Sequence, residues 1–97
     1  MKPIKRVEIV TDSLELKRVL HILDELGVSG YTVIREVTGK GERGTRAGDE
    51  LTDVFKNSYV MTACGEDDVG RIAEAIRPVL QRTGGVCLVS DAQWIVH

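Results

Sequence analysis

Several residue types are scarce in this 97-residue chain, and each scarcity removes a class of function. Cysteine occurs twice, as Cys64 and Cys87, each inside an apolar stretch. That usage excludes a disulfide scaffold and fits two small buried hydrophobes. Histidine also occurs twice, at His21 and His97, and no C-x-x-C is present, so structural zinc is not expected. Aromatic residues make up 4% of the chain, and none interleaves with a basic run, which argues against nucleic acid as a partner. The net charge is only −2, so any charge-based function must arise from local clustering. No apolar run approaches the roughly 20 residues of a bilayer span. The start, Met1-Lys2-Pro3-Ile4-Lys5-Arg6, lacks the apolar core of a signal peptide. A cytoplasmic protein without membrane insertion is expected, organised as a single domain over residues 1–97.

Against these absences stands ordinary globular patterning, with 42% hydrophobic and 29% charged residues. Lys5 to Thr11 alternates as a strand. Thr11-Asp12-Ser13 then offers N-cap oxygens, and Asp12 with Glu15 resembles a capping box. Leu16, Val19, Leu20, Leu23 and Leu26 follow at helical spacing, and Gly27 closes the helix. Gly30 to Val37 reads as a second strand, and Asn57 to Cys64 as a third. The third places Tyr59, Met61 and Ala63 on one face and Val60, Thr62 and Cys64 on the other. Glu66, Asp67 and Asp68 give a second helix an acidic first turn suited to its dipole, which explains them better than a divalent ion. Val69, Ile72, Ala73, Ile76 and Leu80 supply its apolar stripe, and Pro78 predicts a kink or early end. Gly84-Gly85 turns the chain into a fourth strand that begins at Val86–Val89 and resumes at Gln93–Val96.

The order βαββαβ predicts an α+β, ferredoxin-like domain: a four-stranded antiparallel sheet with two helices on one face. The third strand and the start of the fourth carry apolar or small residues on both faces, whereas a one-sided sheet should alternate. Other copies of the chain are the expected cover for the helix-free face, so a homo-oligomer is predicted.

The chemistry concentrates in one stretch. Four of the ten glycines, Gly39, Gly41, Gly44 and Gly48, fall within ten residues together with Lys40, Arg43 and Arg46. Residues from Gly39 to about Lys56 show no period and read as a long loop, a length that small domains reserve for function. Glycines let backbone N–H groups approach an anion, and arginine offers a fork for phosphate oxygens. Neither a Walker A loop nor a dinucleotide fingerprint opening a helix is present. On spacing alone, a solvated flexible loop explains the cluster equally well. Asp49, Glu50 and Asp53 are read as solvated loop acids rather than an acid–base pair. His21, between Leu20 and Ile22, is expected to be partly buried and structural. Trp94 is assigned to packing or an oligomer contact.

Gly30-Tyr31-Thr32-Val33, followed by Gly39-Lys40-Gly41 and the basic loop, resembles the PII-like signalling proteins, and most closely their carboxysome-associated and bicarbonate-transporter-associated branch. The resemblance spans essentially the whole chain, including the glycine turns at Gly27, Gly30 and Gly84-Gly85. It implies a homotrimer that binds adenine nucleotides between subunits, and a T-loop at about 39–56 whose order changes with ligand. Gly30 and Thr32 would then lie at the nucleotide cleft, with Gly39, Lys40 and Gly41 at the loop base. Arg43 and Arg46 would meet phosphates, and Gly84 and Gly85 would close over them. Val86 stands where nitrogen-regulating members place a lysine, which favours ADP or AMP over ATP. The tyrosine motif that those members uridylylate is missing. The chain also lacks the cysteine-bearing tail of the transporter-associated members, so redox gating is not expected. Cyclic AMP and bicarbonate are further ligands implied by that branch, and a bicarbonate transporter or carboxysome-linked protein is the implied partner. No catalytic cofactor and no enzymatic activity are expected. The alternative is a ligand-independent oligomeric interaction module. A phosphatase of the acylphosphatase type would share the fold, but Asn57, the sole asparagine, lies in an unsuitable setting.

Overall fold

A computed structural model describes residues 1–39 and 56–97. Residues 40–55 of the expected loop, with Lys40, Gly41, Arg43, Arg46, Asp49, Glu50 and Asp53, lie outside the described residues. The described residues form β1 (Lys2–Asp12), α1 (Leu16–Leu26), β2 (Thr32–Val37), β3 (Asn57–Cys64), α2 (Glu66–Thr83) and β4 (Val86–Trp94). The sheet runs in the order β2-β3-β1-β4, and every neighbouring pair is antiparallel. This is the ferredoxin-like βαββαβ arrangement that the order of elements predicts.

The pleat decides which residues meet the helices. Val7, Ile9 and Thr11 of β1 and Ser58, Val60, Thr62 and Cys64 of β3 point to one face, and all are buried. Against them pack Leu16, Val19 and Leu23 of α1 and Ile72, Ile76 and Val79 of α2. Each such aliphatic side chain contributes about 1.5–3 kcal/mol through its removal from water. Three hydroxyls lie among them. Thr62 Oγ1 donates to the Gly30 carbonyl at 2.6 Å, and Ser58 Oγ lies 2.8 Å from Ser13 Oγ. Thr11 Oγ1 has no hydrogen-bond partner among the described residues.

Five details depart from the pattern expected above. β1 begins at Lys2, because β4 pairs with it from Lys2↔Trp94 to Val10↔Val86, so backbone pairing extends the strand through polar residues. For the same reason β4 runs unbroken through Ser90-Asp91-Ala92. A 3-10 turn, Ser13–Glu15, precedes α1; the Asp12 carboxylate accepts from the Leu14 N–H at 2.9 Å, and Glu15 makes no reciprocal cap. Helix α2 continues past Pro78 to Thr83. Pro78 and Glu74 are both exposed, so water can solvate the Glu74 carbonyl that the missing N–H leaves unpaired. His21 is not partly buried: its side chain is 72% exposed and lies 3.4 Å from Glu25, because 100° per residue rotates it off the Leu20–Leu23 stripe.

Among the described residues, the other face of the sheet carries no helix. There Ile34, Val86 and Leu88 are 52%, 46% and 58% exposed, beside the half-buried Val10, Tyr59, Met61 and Ala63. A polar band crosses this apolar field. Tyr59 Oη donates to Glu8 Oε2 at 2.6 Å, Glu8 faces Arg6 at 3.4 Å, and Arg6 Nε donates to Ser90 Oγ at 3.3 Å. The Glu8 carboxylate, by accepting that bond, holds the Tyr59 hydroxyl above the usual phenol range.

Candidate functional site

Register places the residues singled out in the sequence. The pairs Val10↔Val86, Val10↔Tyr59 and Ile34↔Tyr59 align the start of β4 with the end of β2 at one end of the sheet. Val37↔Asn57 and Asp12↔Asn57 mark the same end. The chain therefore leaves the sheet after Val37 and re-enters it at Asn57, at the end where Gly84-Gly85 turns. The re-entry is tied down by the Ser13 N–H, which donates to the Lys56 carbonyl at 2.8 Å.

The exit is irregular. One residue of β3, Ser58, lies between Tyr59 and Asn57, but two of β2 lie between Ile34 and Val37, so β2 bulges at Arg35-Glu36. Glu36 sits there at φ 59, a left-handed conformation that costs a non-glycine residue about 1 kcal/mol. Its carboxylate lies 3.9 Å from Lys56 Nζ, across the base of the loop. Nothing in the composition of Gly30–Val37 signals this bulge.

The glycines differ in what they do. Gly84 has φ 81, and its N–H donates to the Leu80 carbonyl at 2.7 Å, closing α2. Gly85 has φ 124, and a Cβ there would lie 2.5 Å from the Val10 carbonyl oxygen and 3.0 Å from Leu80 Cδ2. Only glycine fits that position. Gly30 and Gly39 face open space, so the backbone does not demand glycine at either. Thr32 is exposed on the helix-free face, in register with Met61.

One chain does not bring these residues together. Gly30 and Thr32 lie at the β2 edge, whereas Gly84-Gly85 leads into β4 at the opposite edge. Three interstrand spacings separate the edges, roughly 14 Å. Two clefts among the described residues lie elsewhere. One of about 400 Å³ is lined by Pro3, Lys5, Glu66, Asp91 and Gln93 at the far end of the sheet, where Lys5 pairs with Asp91. A second, of about 240 Å³, lies beside Leu26, Cys64 and Arg71, whose guanidinium caps the Leu26 carbonyl at 3.1 Å. Neither contains a predicted site residue. Both thiols are free, and burial pushes both Cys64 and Cys87 up in pKa, so neither is an activated nucleophile.

Comparison with known families decides what this arrangement belongs to. The family model described as nitrogen regulatory protein P-II matches residues 4–96. The chain belongs to the P-II family. Among solved structures, this P-II chain is similar to CPII, a nitrogen regulatory PII-like protein from Thiomonas intermedia K12, in a form bound to ADP, AMP and bicarbonate. The identity is 27%, covering 98% of this chain and 96% of that one, with a TM-score of 0.83. CPII bound to ADP and bicarbonate matches at 32% identity over 95% of this chain and 88% of that one, with a TM-score of 0.80. The Bacillus subtilis GlnK–ATP complex shares the fold, at 18% identity over 94% and 84% of the two chains and a TM-score of 0.67.

Proposed function

We propose that this P-II chain is a non-catalytic sensor that works as a homotrimer and binds adenine nucleotides at clefts between subunits. The observation that carries this reading is the separation of Gly30 and Thr32, at the start of β2 on one sheet edge, from Gly84-Gly85, which leads into β4 on the other. A ring of copies brings the β2 edge of one chain to the β4 edge of the next, which joins the two halves of the site. The exposed Ile34, Val86 and Leu88 then face neighbouring copies instead of water. The ADP and AMP bound by CPII support the choice of ligand.

In this reading Thr32 bonds the base or ribose, and the Gly84-Gly85 turn closes over the phosphates. Gly39, Lys40 and Gly41 form the base of a T-loop, and Arg43 and Arg46 grip phosphate oxygens from it. Val86 supplies no cation after the turn, so ADP and AMP are preferred to ATP. Bicarbonate, which CPII binds, acts as a second small anion near Lys40. Cyclic AMP is a further candidate ligand. Ligand-dependent ordering of the T-loop changes affinity for a protein partner in inorganic-carbon uptake or fixation, a bicarbonate transporter or a carboxysome-linked protein. The protein acts in the cytoplasm, with carboxysome association following from such a partner.

Isothermal titration with AMP, ADP, ATP and cyclic AMP, each with and without bicarbonate, tests the ligand. Heat with ADP or AMP is expected, and none from any nucleotide with a folded oligomer sinks the sensor. Sedimentation at low micromolar concentration should give three times the 10.7 kDa of one chain. An Arg43→Ala/Arg46→Ala variant that binds ADP as tightly as the parent would remove those arginines from the phosphate site.

A further inference from the structure

We infer that Arg82 is a phosphate-contacting residue of the proposed nucleotide cleft, exchanging its guanidinium between the Glu15 carboxylate and the phosphates of the bound nucleotide. The inference rests on the nucleotide reading above and adds a residue that the loop cluster does not contain.

Position comes first. Arg82 lies in the last turn of α2, immediately before Thr83-Gly84-Gly85. Gly85 is wedged against the Val10 carbonyl, so the backbone beside Arg82 is fixed relative to the sheet. Thr83 Oγ1 donates to the Val79 carbonyl at 3.0 Å, and the Gly84 N–H is spent on Leu80, so the turn keeps few donors for an anion. After the turn come Val86, Cys87, Leu88 and Val89, with no cation. Charge offered to a phosphate at this edge must therefore come from before the turn. The preceding cation in α2 is Arg77, more than a turn back and paired with Glu74 at 2.6 Å. The C-terminal pole of α2 also points at the turn, and its partial negative charge would repel a phosphate unless a cation stood there.

The pairing of Arg82 suits exchange. One nitrogen, NH2, donates to Glu15 Oε1 at 2.6 Å, and its other nitrogens have no partner among the described residues. The side chain is half exposed, and an ion pair in that setting is worth little. A guanidinium on phosphate makes paired, charge-assisted bonds that are stronger. Glu15 is not abandoned when Arg82 leaves, because Arg18 Nε faces the same oxygen from 3.8 Å. Two guanidinium groups thus converge on one carboxylate from different helices, and Arg82 is the one attached to the turn.

Titration of ADP and of adenosine into the folded full-length oligomer tests this, using Arg82→Leu, Arg82→Lys and Glu15→Gln, with circular dichroism and urea midpoints as folding controls. Arg82→Leu is expected to weaken ADP about tenfold and to leave adenosine within about twofold, and Arg82→Lys to restore part of the loss. Glu15→Gln should tighten ADP by about threefold, since the competing carboxylate is gone. Arg82→Leu binding ADP as tightly as the parent overturns the assignment. So does Glu15→Gln weakening ADP and adenosine alike, the mark of a pair that only braces the fold. A parent protein that binds no ADP overturns the nucleotide reading and this one with it, a result distinct from the other two.

Discussion

The two faces of the sheet come from the same four strands, yet they obey different rules. On the helix side, Val7, Ile9, Val60, Thr62 and Cys64 are buried under α1 and α2, and even the hydroxyls there are enclosed. On the open side, Ile34 and Leu88 remain exposed while Glu8, Arg6 and Tyr59 run a polar band between them. The first face is finished within one chain. The second is apolar enough to need cover, and its few charges are bonded to one another before any neighbour arrives. A face of that kind fits contact between folded subunits, where orientation matters as much as area.

Substitutions that strike one face and spare the other can break this contrast. The largest expected effect is on the closed side: Ile76→Ala should cost about 2–5 kcal/mol, read as a lower urea midpoint with unchanged slope. Leu88→Asp, on the open side, should leave the fold of the chain intact by circular dichroism and abolish sedimentation as an oligomer. A Leu88→Asp oligomer of parental mass would show that the open face is not the contact. Gly85→Ala, where φ 124 and the Val10 carbonyl leave no room, should cost about 1–3 kcal/mol, against no more than about 0.5 kcal/mol for Gly30→Ala. Thr11→Val replaces a buried hydroxyl without a partner among the described residues and should raise stability by about 1 kcal/mol; a loss would reveal a partner for Thr11.

The smallest effect concerns pH. The Tyr59 hydroxyl titrates higher in the folded chain than in the unfolded one, because its bond to Glu8 requires the proton. The stability from this bond is therefore present below the unfolded phenol range near pH 10 and is lost as pH rises through the higher folded value. Tyr59→Phe should reduce the fall in urea midpoint between pH 9 and 11 relative to the parent. Equal falls would disconnect that bond from stability.

Much of this could be read in the residues because alternation is a local signal. Tyr59-Val60-Met61-Thr62-Ala63-Cys64 assigns its own faces, and Gly84-Gly85 announces a turn that the positive φ values require. What escaped was set by partners distant in sequence. Lys2-Pro3-Ile4 has no strand character of its own and is extended by β4, and Ser90-Asp91-Ala92 is held in turn by β1. Pro78 signals a break, but its exposed position lets water take the place of the missing bond. The bulge at Glu36 reflects how two strands meet the loop, which no residue type there encodes. For the candidate site, composition pointed to glycines and cations, yet the pairing of Arg82 with Glu15 joins residues 67 positions apart and became visible only when α1 and α2 were packed.

The placement of Thr32 and Gly85 on opposite sheet edges carries a genetic consequence. If every binding site takes one half from each of two neighbours, a trimer holding a single subunit damaged in both halves loses two sites and keeps one. Such an allele would interfere with the wild type far beyond its dose. Two alleles damaged at different edges, one at Thr32 and one at Gly85, could instead rescue each other, since a mixed ring reunites one intact pair of edges. Co-expression of the two would turn a geometric statement about strand order into a complementation result.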